Sequence, residues 1–425
     1  MRLLAGLVAG FMMIAGVGTT VWAEETAPAA AAAETKSAPA ERPLDNQLTS
    51  LEEGVARLSG DTVKLKIGFL FQGGWLNDDA GFSVGGPPTN GISVTSGNQF
   101  FVRRARFYFN GQLSEKVGFK VSLEPAIYSG TTGGGSQILR DAFIWGDYIP
   151  YARITLGQFK VPYGLEGVES IGDNPTINRS MATNFIHYPT LRDLGVMASG
   201  SYKTKVSRMP LGVSYWAAIV NGTGYNLQDD NNYKDFAARV VVNPLVEGLN
   251  VGASYYTGET RSVSGTGAGH DHDRNRWAVE LDYNCPKIKG LKLRGEFLYD
   301  SKYFDTFASK NKTVTTGLPA YDGWAHSYGW YLLGAYRIDG QNGVLGYFNG
   351  LEPLIRYDYM DENSDTPGNV RYRTTLGVNY YMGKYTRLMV NYEIIHASSG
   401  LSTASLEKID TVSHNLFTVM GQVKF

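Results

Sequence analysis

From Thr62 onward the chain alternates. Val63, Leu65, Ile67, Phe69 and Phe71 interleave with Lys64, Lys66, Gly68, Leu70 and Gln72, an apolar row against a mostly polar one. Successive side chains of an extended strand point to opposite faces, so a period of two predicts a strand that is apolar on one side and polar on the other. The pattern returns in Trp277, Val279, Leu281 and Tyr283 against Arg276, Ala278, Glu280 and Asp282. It returns again in Leu291, Leu293, Gly295, Phe297 and Tyr299 against Lys292, Arg294, Glu296, Leu298 and Asp300. Sixteen segments read as strands: 62–75, 98–112, 115–128, 138–148, 151–160, 191–204, 209–220, 232–243, 249–260, 273–284, 291–304, 327–337, 351–361, 371–382, 386–396 and 413–425. A soluble sandwich alternates too, so the strands alone do not choose between sandwich and barrel.

The connections choose. Gaps after odd-numbered strands are mostly long, as at 76–97, 161–190 and 305–326, whereas Leu113-Ser114, Ile149-Pro150 and Gly383-Lys384-Tyr385 are tight turns; residues 338–350 are the exception. Long outer loops, short periplasmic turns and an even strand count predict an all-β fold over residues 61–425, a 16-stranded antiparallel transmembrane β-barrel of the bacterial outer membrane. Phe417, Val419, Gly421, Val423 and Phe425 carry the alternation to a terminal aromatic. That ending resembles the signature outer-membrane barrels present to their assembly machinery, and closure removes the open strand edges.

Ahead of the barrel the pattern differs. Arg2, the apolar run from Leu3 to Val17 and Val21-Trp22-Ala23 predict a cleaved signal peptide at 1–23, with the mature chain beginning near Glu24. The run is shorter than the roughly 20 apolar residues of a membrane-crossing helix. Residues 24–43 are rich in Ala and Pro and read as a disordered linker. Leu44, Leu48, Leu51, Val55 and Leu58 then recur at spacings of four and three. This leaves two readings for 44–60, a short periplasmic coiled coil joining protomers or a lone amphipathic helix, with Gly54 weakening either.

Composition agrees with the barrel. Tyr (27), Phe (19) and Trp (7) make up 12% of the chain, Gly numbers 51 and there is one Cys. Tyr and Trp suit interfacial girdles, Gly suits tight turns, and no disulfides are needed. Cys285 has no partner in the chain and reads as a small residue beside the Pro286 turn. A formal net charge of −1 lacks the basic surplus of a nucleic-acid binder. It leaves ion selectivity open, because selectivity depends on which charges face the lumen.

Several segments together resemble the phosphate-selective porin O and P family. They are Phe101-Val102-Arg103-Arg104-Ala105-Arg106, the run from Gly157 to Glu166, Arg192-Asp193-Leu194-Gly195-Val196, Asn221-Gly222-Thr223-Gly224 with Asp229-Asp230, Lys234-Asp235 and Arg239, Arg356-Tyr357-Asp358, and Gly377-Val378-Asn379-Tyr380-Tyr381. The resemblance covers nearly all of the barrel. It implies a homotrimer of sixteen-stranded barrels, a loop folded into each lumen and basic side chains along the pore, but it is poorly specific for phosphate.

Strand parity supplies candidates for that pore. Ala105, Phe107 and Phe109 form an apolar row, which sends Arg104 and Arg106 inward; an Arg facing lipid near the midplane costs about 2–4 kcal/mol. Arg103 falls on the outward row and is expected at the extracellular rim. The same parity sends Lys64, Lys66, Lys116, Lys120, Arg153, Arg239, Arg276, Lys292, Arg294, Arg356, Arg371, Arg373 and Arg387 inward, with Glu124, Asp235, Glu280, Asp282, Glu296, Asp300, Asp358 and Glu393. The connection 161–190 is the candidate constriction loop, since structureless loops beyond about 15 residues usually carry function. Lys160 at its entry, Arg179 within it and Arg192 at its exit join Arg104, Arg106, Arg153, Arg239 and Arg356 as candidate pore-lining, anion-binding residues. Two readings stand for each: contact with a passing anion, or a structural pair with a carboxylate.

The function expected is passive diffusion of small anions, phosphate or similar; the alternative is a general porin with little ion preference. A barrel enzyme would need a nucleophile, base and orienter at one level of the wall, and the six His residues offer none. A tether built on the heptad segment is a third class. No cofactor is expected. Gly269-His270-Asp271-His272-Asp273 has metal-capable side chains but reads as solvated loop, and Gly133-Gly134-Gly135 lacks the strand-to-helix context of a phosphate cradle. The surface partner expected is outer-membrane lipid.

Overall fold

The computed structural model describes residues 64–79, 97–125, 138–186, 191–206, 209–261, 269–304, 323–340, 348–365, 370–397 and 412–425. The expected signal peptide, linker and heptad segment, the Gly133-Gly134-Gly135 tip and most of the connections 76–97 and 305–326 lie outside the described residues.

All sixteen expected strands form. They are β1 (Lys64–Asp78), β2 (Asn98–Ser114), β3 (Val117–Leu123), β4 (Leu139–Ile149), β5 (Ala152–Lys160), β6 (Arg192–Val206), β7 (Met209–Val220), β8 (Asp235–Asn243), β9 (Leu249–Arg261), β10 (Asp271–Asn284), β11 (Leu291–Phe304), β12 (Gly323–Tyr336), β13 (Phe348–Asp361), β14 (Val370–Met382), β15 (Thr386–Ala397) and β16 (Val412–Lys424). Past Arg337, β12 resumes as Ile338–Asp339, which pairs with Leu351 and Gly350. Two short helices, α1 (Leu165–Val168) and α2 (Met181–Ile186), lie in the connection between β5 and β6.

Every strand pairs antiparallel with its neighbours in sequence, and β1 closes the sheet on β16, from Leu70 opposite Lys424 to Asp78 opposite Leu416. The terminal aromatic lies in this seam. Phe425 and Phe69 exchange both backbone hydrogen bonds at 3.0 Å, and their rings lie 5.9 Å apart. A closed antiparallel barrel is thereby observed, as the alternation and loop lengths predict.

The direction of the alternation shows which solvent the outside meets. On β10 the buried residues are Arg274, Arg276, Ala278 and Glu280, whereas Trp277, Val279 and Leu281 are exposed. Apolar rows face out and charged rows face in on strand after strand, the inverse of a water-soluble protein and the arrangement that hydrocarbon demands. Across β10 to β13 the outer face carries a run of packed rings. Trp277 stacks on Phe297 at 5.1 Å, Tyr328 on Tyr359 at 5.8 Å, and Trp330 on Tyr359 at 6.0 Å. Such rings are at home where hydrocarbon gives way to headgroups.

In one place the register explains a departure from the expected parity. Gln72 faces Arg104 but Gly73 faces Val102, so Arg103 is the extra residue of a β-bulge. The bulge turns Arg103 inward, where it is buried and donates from Nη1 to Ile177 O at 2.8 Å; it does not sit at the outer rim. Lys116 also departs from expectation, being an exposed residue of the β2–β3 turn rather than a wall residue.

Two outcomes test this architecture. In detergent the purified protein is expected to give a strand-dominated circular dichroism spectrum and a heat-dependent shift in electrophoretic mobility; a helix-dominated spectrum contradicts the barrel. A Cβ added at Gly74 would lie 2.0 Å from Val419 O across the seam. Gly74→Val is therefore expected to lower the temperature of that mobility shift, with a destabilisation of about 1–3 kcal/mol or more.

Candidate functional site

The connection between β5 and β6 does not run over the surface. It folds into the barrel, where its peptide groups leave bulk water and must find partners. The wall from β13 to β16 supplies them. Arg356 donates from Nη1 to Thr176 Oγ1 (2.6 Å) and Asn178 O (2.8 Å), and from Nη2 to Arg179 O (3.2 Å). Arg373 Nη2 reaches Arg179 O at 2.6 Å, and Arg387 Nη2 reaches Gly172 O and Asn174 O at 3.0 and 2.9 Å. Asn379 donates to Pro175 O at 2.8 Å, and Gln422 donates to Gly172 O at 3.1 Å. A guanidinium carries five donors in a fixed fork and no acceptor, which suits it to gathering several carbonyls at once.

The loop's acids turn the same way. Glu169 takes two bonds from Arg294, at 2.5 and 3.1 Å, Glu166 lies 3.5 Å from Arg356 and accepts from Ser180 N at 2.7 Å, and Asp173 pairs with Lys424. At the base of the loop, Glu296 accepts from Leu165 N at 2.7 Å and Glu166 N at 3.3 Å. Val161, Tyr163, Ala182 and Ile186 complete the attachment, packing against Ala237, Tyr256, Ala278, Leu298 and Met360 of the wall.

The loop is held mainly by β11 to β16, with one further bond from Arg103 of β2 to Ile177 O, and open space remains against parts of β2 to β8. A cavity of about 380 Å³ lies there, lined by the cations Arg106, Lys120, Lys160, Arg192 and Arg239, one carboxylate, Asp141, and a group of apolar and aromatic side chains. A second cavity, of about 620 Å³, shares Lys120 with it and adds Lys64, Lys66 and Arg153 with no acidic lining residue.

Residues 83–425 match the family model described as phosphate-selective porin O and P. The chain belongs to that family. It is an outer-membrane porin of the Gram-negative type, a kind of protein that is not an enzyme. Solved structures agree on the fold. The anion-selective porin of Comamonas acidovorans is 13% identical with a TM-score of 0.52, covering 85% of this chain and 100% of that one. The outer-membrane channel DcaP of Acinetobacter baumannii is 12% identical (TM-score 0.54, 86% and 99% covered), and OmpF of Salmonella typhi 15% identical (0.53, 86% and 98%). No curated protein sequence matches the chain.

Within this porin the expected site residues separate by partner. Arg106 pairs with Glu124 at 2.9 Å, Arg192 with Asp141 at 2.8 Å, and Arg239 with Glu280. Arg153, more exposed, pairs with Asp147 at 2.6 Å and stacks on Trp145 at 3.8 Å. Arg356 has no exposed surface and is held by Asp358 at 2.9 Å as well as by the loop. Of these eight expected site residues, three have no carboxylate at ion-pair distance among the described residues. Lys160 donates to the carbonyls of Val168 (3.0 Å) and Glu169 (2.5 Å), and Arg104 donates to the neutral Gln72 side chain at 2.8 Å. Arg179 is the third; the carboxylate of Glu166 acts on it most strongly among nearby charges, with Arg192, Arg106, Glu169 and Arg104 also within electrostatic range.

Arg103 and Arg274 are the lumenal arginines that strand reading missed. Arg103 has Nε and Nη2 buried without a hydrogen-bond partner, and its bulge had no signal in the alternation. Arg274, buried and paired with Asp235, shares the parity of Arg276 and was legible from it. In the sequence Gly269 to Asp273, His272 stacks on Tyr303 with ring centres 3.8 Å apart.

The attachment of the loop generates a prediction. Arg356→Leu strips three loop acceptors of a donor and removes a charge partner from the buried acids Asp358 and Glu166, a change worth about 3–5 kcal/mol. It is expected to lower the thermal midpoint and to raise single-channel conductance as the loop leaves the wall. Arg356→Lys, which keeps the charge but not the fork, is expected to fall between the two.

Proposed function

We propose that this porin is a passive diffusion channel preferring small anions, phosphate or similar, working as a homotrimer. The observation that carries this is the division of the lumen by charge. The acids of the inward loop are engaged by the β11 to β16 wall, while Lys160 lines the open cavity without a carboxylate at ion-pair distance, and Arg179 and Arg104, likewise without one, add to the field from behind that lining. Arg106, Arg192, Arg239 and Arg153 line it as paired cations whose outer N–H groups add to the same potential. In a low-dielectric annulus such a lining concentrates anions and replaces part of their hydration. The likeness to an anion-selective porin supports the reading at the level of the fold.

Strength matters as much as sign. A unit pair about 5 Å apart is worth roughly 3 kcal/mol at an effective dielectric near 20. Several sites of that strength in series let an ion enter and leave, whereas one far deeper site would hold it and stop the current. For assembly, the support is the family resemblance and OmpT of Vibrio cholerae, solved in a trimer form, at 10% identity and a TM-score of 0.51. The proposal extends to the chain's start: a signal peptide over 1–23, a linker over 24–43 and a helical segment over 44–60, with outer-membrane lipid around the barrel.

The test is the combined change Arg104→Gln, Arg179→Gln and Lys160→Gln, read as reversal potential in a potassium chloride gradient across a planar bilayer. The parent is expected to be anion-selective and the triple variant to move toward zero or to cation preference. An unchanged reversal potential would mean that these cations serve structure alone, and the general-porin reading would replace this one.

A further inference from the structure

A water-filled lumen needs polar lining, yet part of this one is apolar. On adjacent strands of the open side, Phe143 of β4, Phe159 of β5, Met197 of β6 and Trp216 of β7 all line the 380 Å³ cavity. Phe159 is buried and forms a small core with Ala218 and Val220, and Phe143 and Met197 pack on it while remaining partly exposed. Trp216 is partly exposed as well. Apolar surface left against water in a functional cavity is unfavourable unless something covers it, and contiguous patches of this kind mark binding surfaces.

The patch is bordered by charge. Arg239 lies over the Trp216 ring at 5.0 Å, Lys120 over Tyr108 at 5.6 Å, and Lys160 closes the cavity from the loop side. An inorganic anion uses the cations and gains nothing from the apolar strip. A solute with an anionic head and a flat apolar body uses both, its head near Lys120 or Lys160 and its body against Trp216, Phe143 and Met197.

Resting on the anion-channel reading above, we infer that the constriction selects organic anions carrying an apolar, preferably aromatic, body over small anions of the same charge. Trp216 is the specificity-determining residue, because it is the large ring of the strip that is both exposed to the cavity and in contact with a lumenal cation.

The experiment uses the full-length porin in planar bilayers and matched-charge probes, benzoate against acetate and benzenesulfonate against methanesulfonate, read as the concentration that halves the chloride current. The aromatic member of each pair is expected to act at a concentration at least tenfold lower. Trp216→Ala is expected to narrow that ratio at least threefold and Trp216→Phe to keep most of it; Phe143→Ala gives a second narrowing should the tryptophan variant fail to fold. Equal potency within each pair, or a ratio that both alanine variants leave intact, overturns the inference while the parent's anion-selective reversal potential stands. Absence of anion preference in the parent overturns the channel reading and this inference with it.

Discussion

A loop of about thirty residues inside a barrel poses one dominant problem, the satisfaction of its peptide carbonyls. An unpaired buried carbonyl costs about 1–3 kcal/mol, so a run of them cannot be left unmet. Here the guanidinium forks of Arg356, Arg373 and Arg387, aided by Asn379 and Gln422, meet the carbonyls of Gly172, Asn174, Pro175, Asn178 and Arg179, and Arg103 meets that of Ile177. The remaining features of the lumen follow from that attachment. Because these arginines serve the loop, they do not serve the passage, and because they are cationic, they draw Glu166 to the same side, as Arg294 draws Glu169. The opposite wall is left basic and open.

The barrel itself is a response to the same rule applied to lipid. Backbone groups that cross hydrocarbon must pair within the protein, and closing sixteen strands through the Phe69–Phe425 seam leaves no edge unpaired. Turning the apolar rows outward then obliges the charged rows to face one another across a narrow lumen. Most of them pair, as Arg276 does with Asp300 and Arg274 with Asp235. The unpaired minority and the apolar strip beside Trp216 are where this wall departs from self-satisfaction.

The barrel was legible because its signals are local. A period of two, turn residues and loop lengths identified every strand, and parity placed Arg106, Arg239, Arg276 and Arg356 correctly in the interior. Parity failed at Arg103, since a bulge adds one residue without disturbing the pattern on either side, and at Lys116, which lies in a turn one residue beyond the strand. The fate of each lumenal cation was not legible. The contact between Arg356 and Arg179 O spans 177 residues of chain, and nothing in either segment announces the other. A sequence shows that charges enter a lumen; three-dimensional register decides which of them are already spent.

The most direct test of this division is anomalous scattering from bromide in a crystal of the intact porin, which locates anions and loop together. The account predicts the loop held by β13 to β16 and bromide on the β2 to β8 side, in the cavity lined by Lys160, Lys120 and Arg192. Bromide among Arg356, Arg373 and Arg387, or a loop standing clear of that wall, would contradict it.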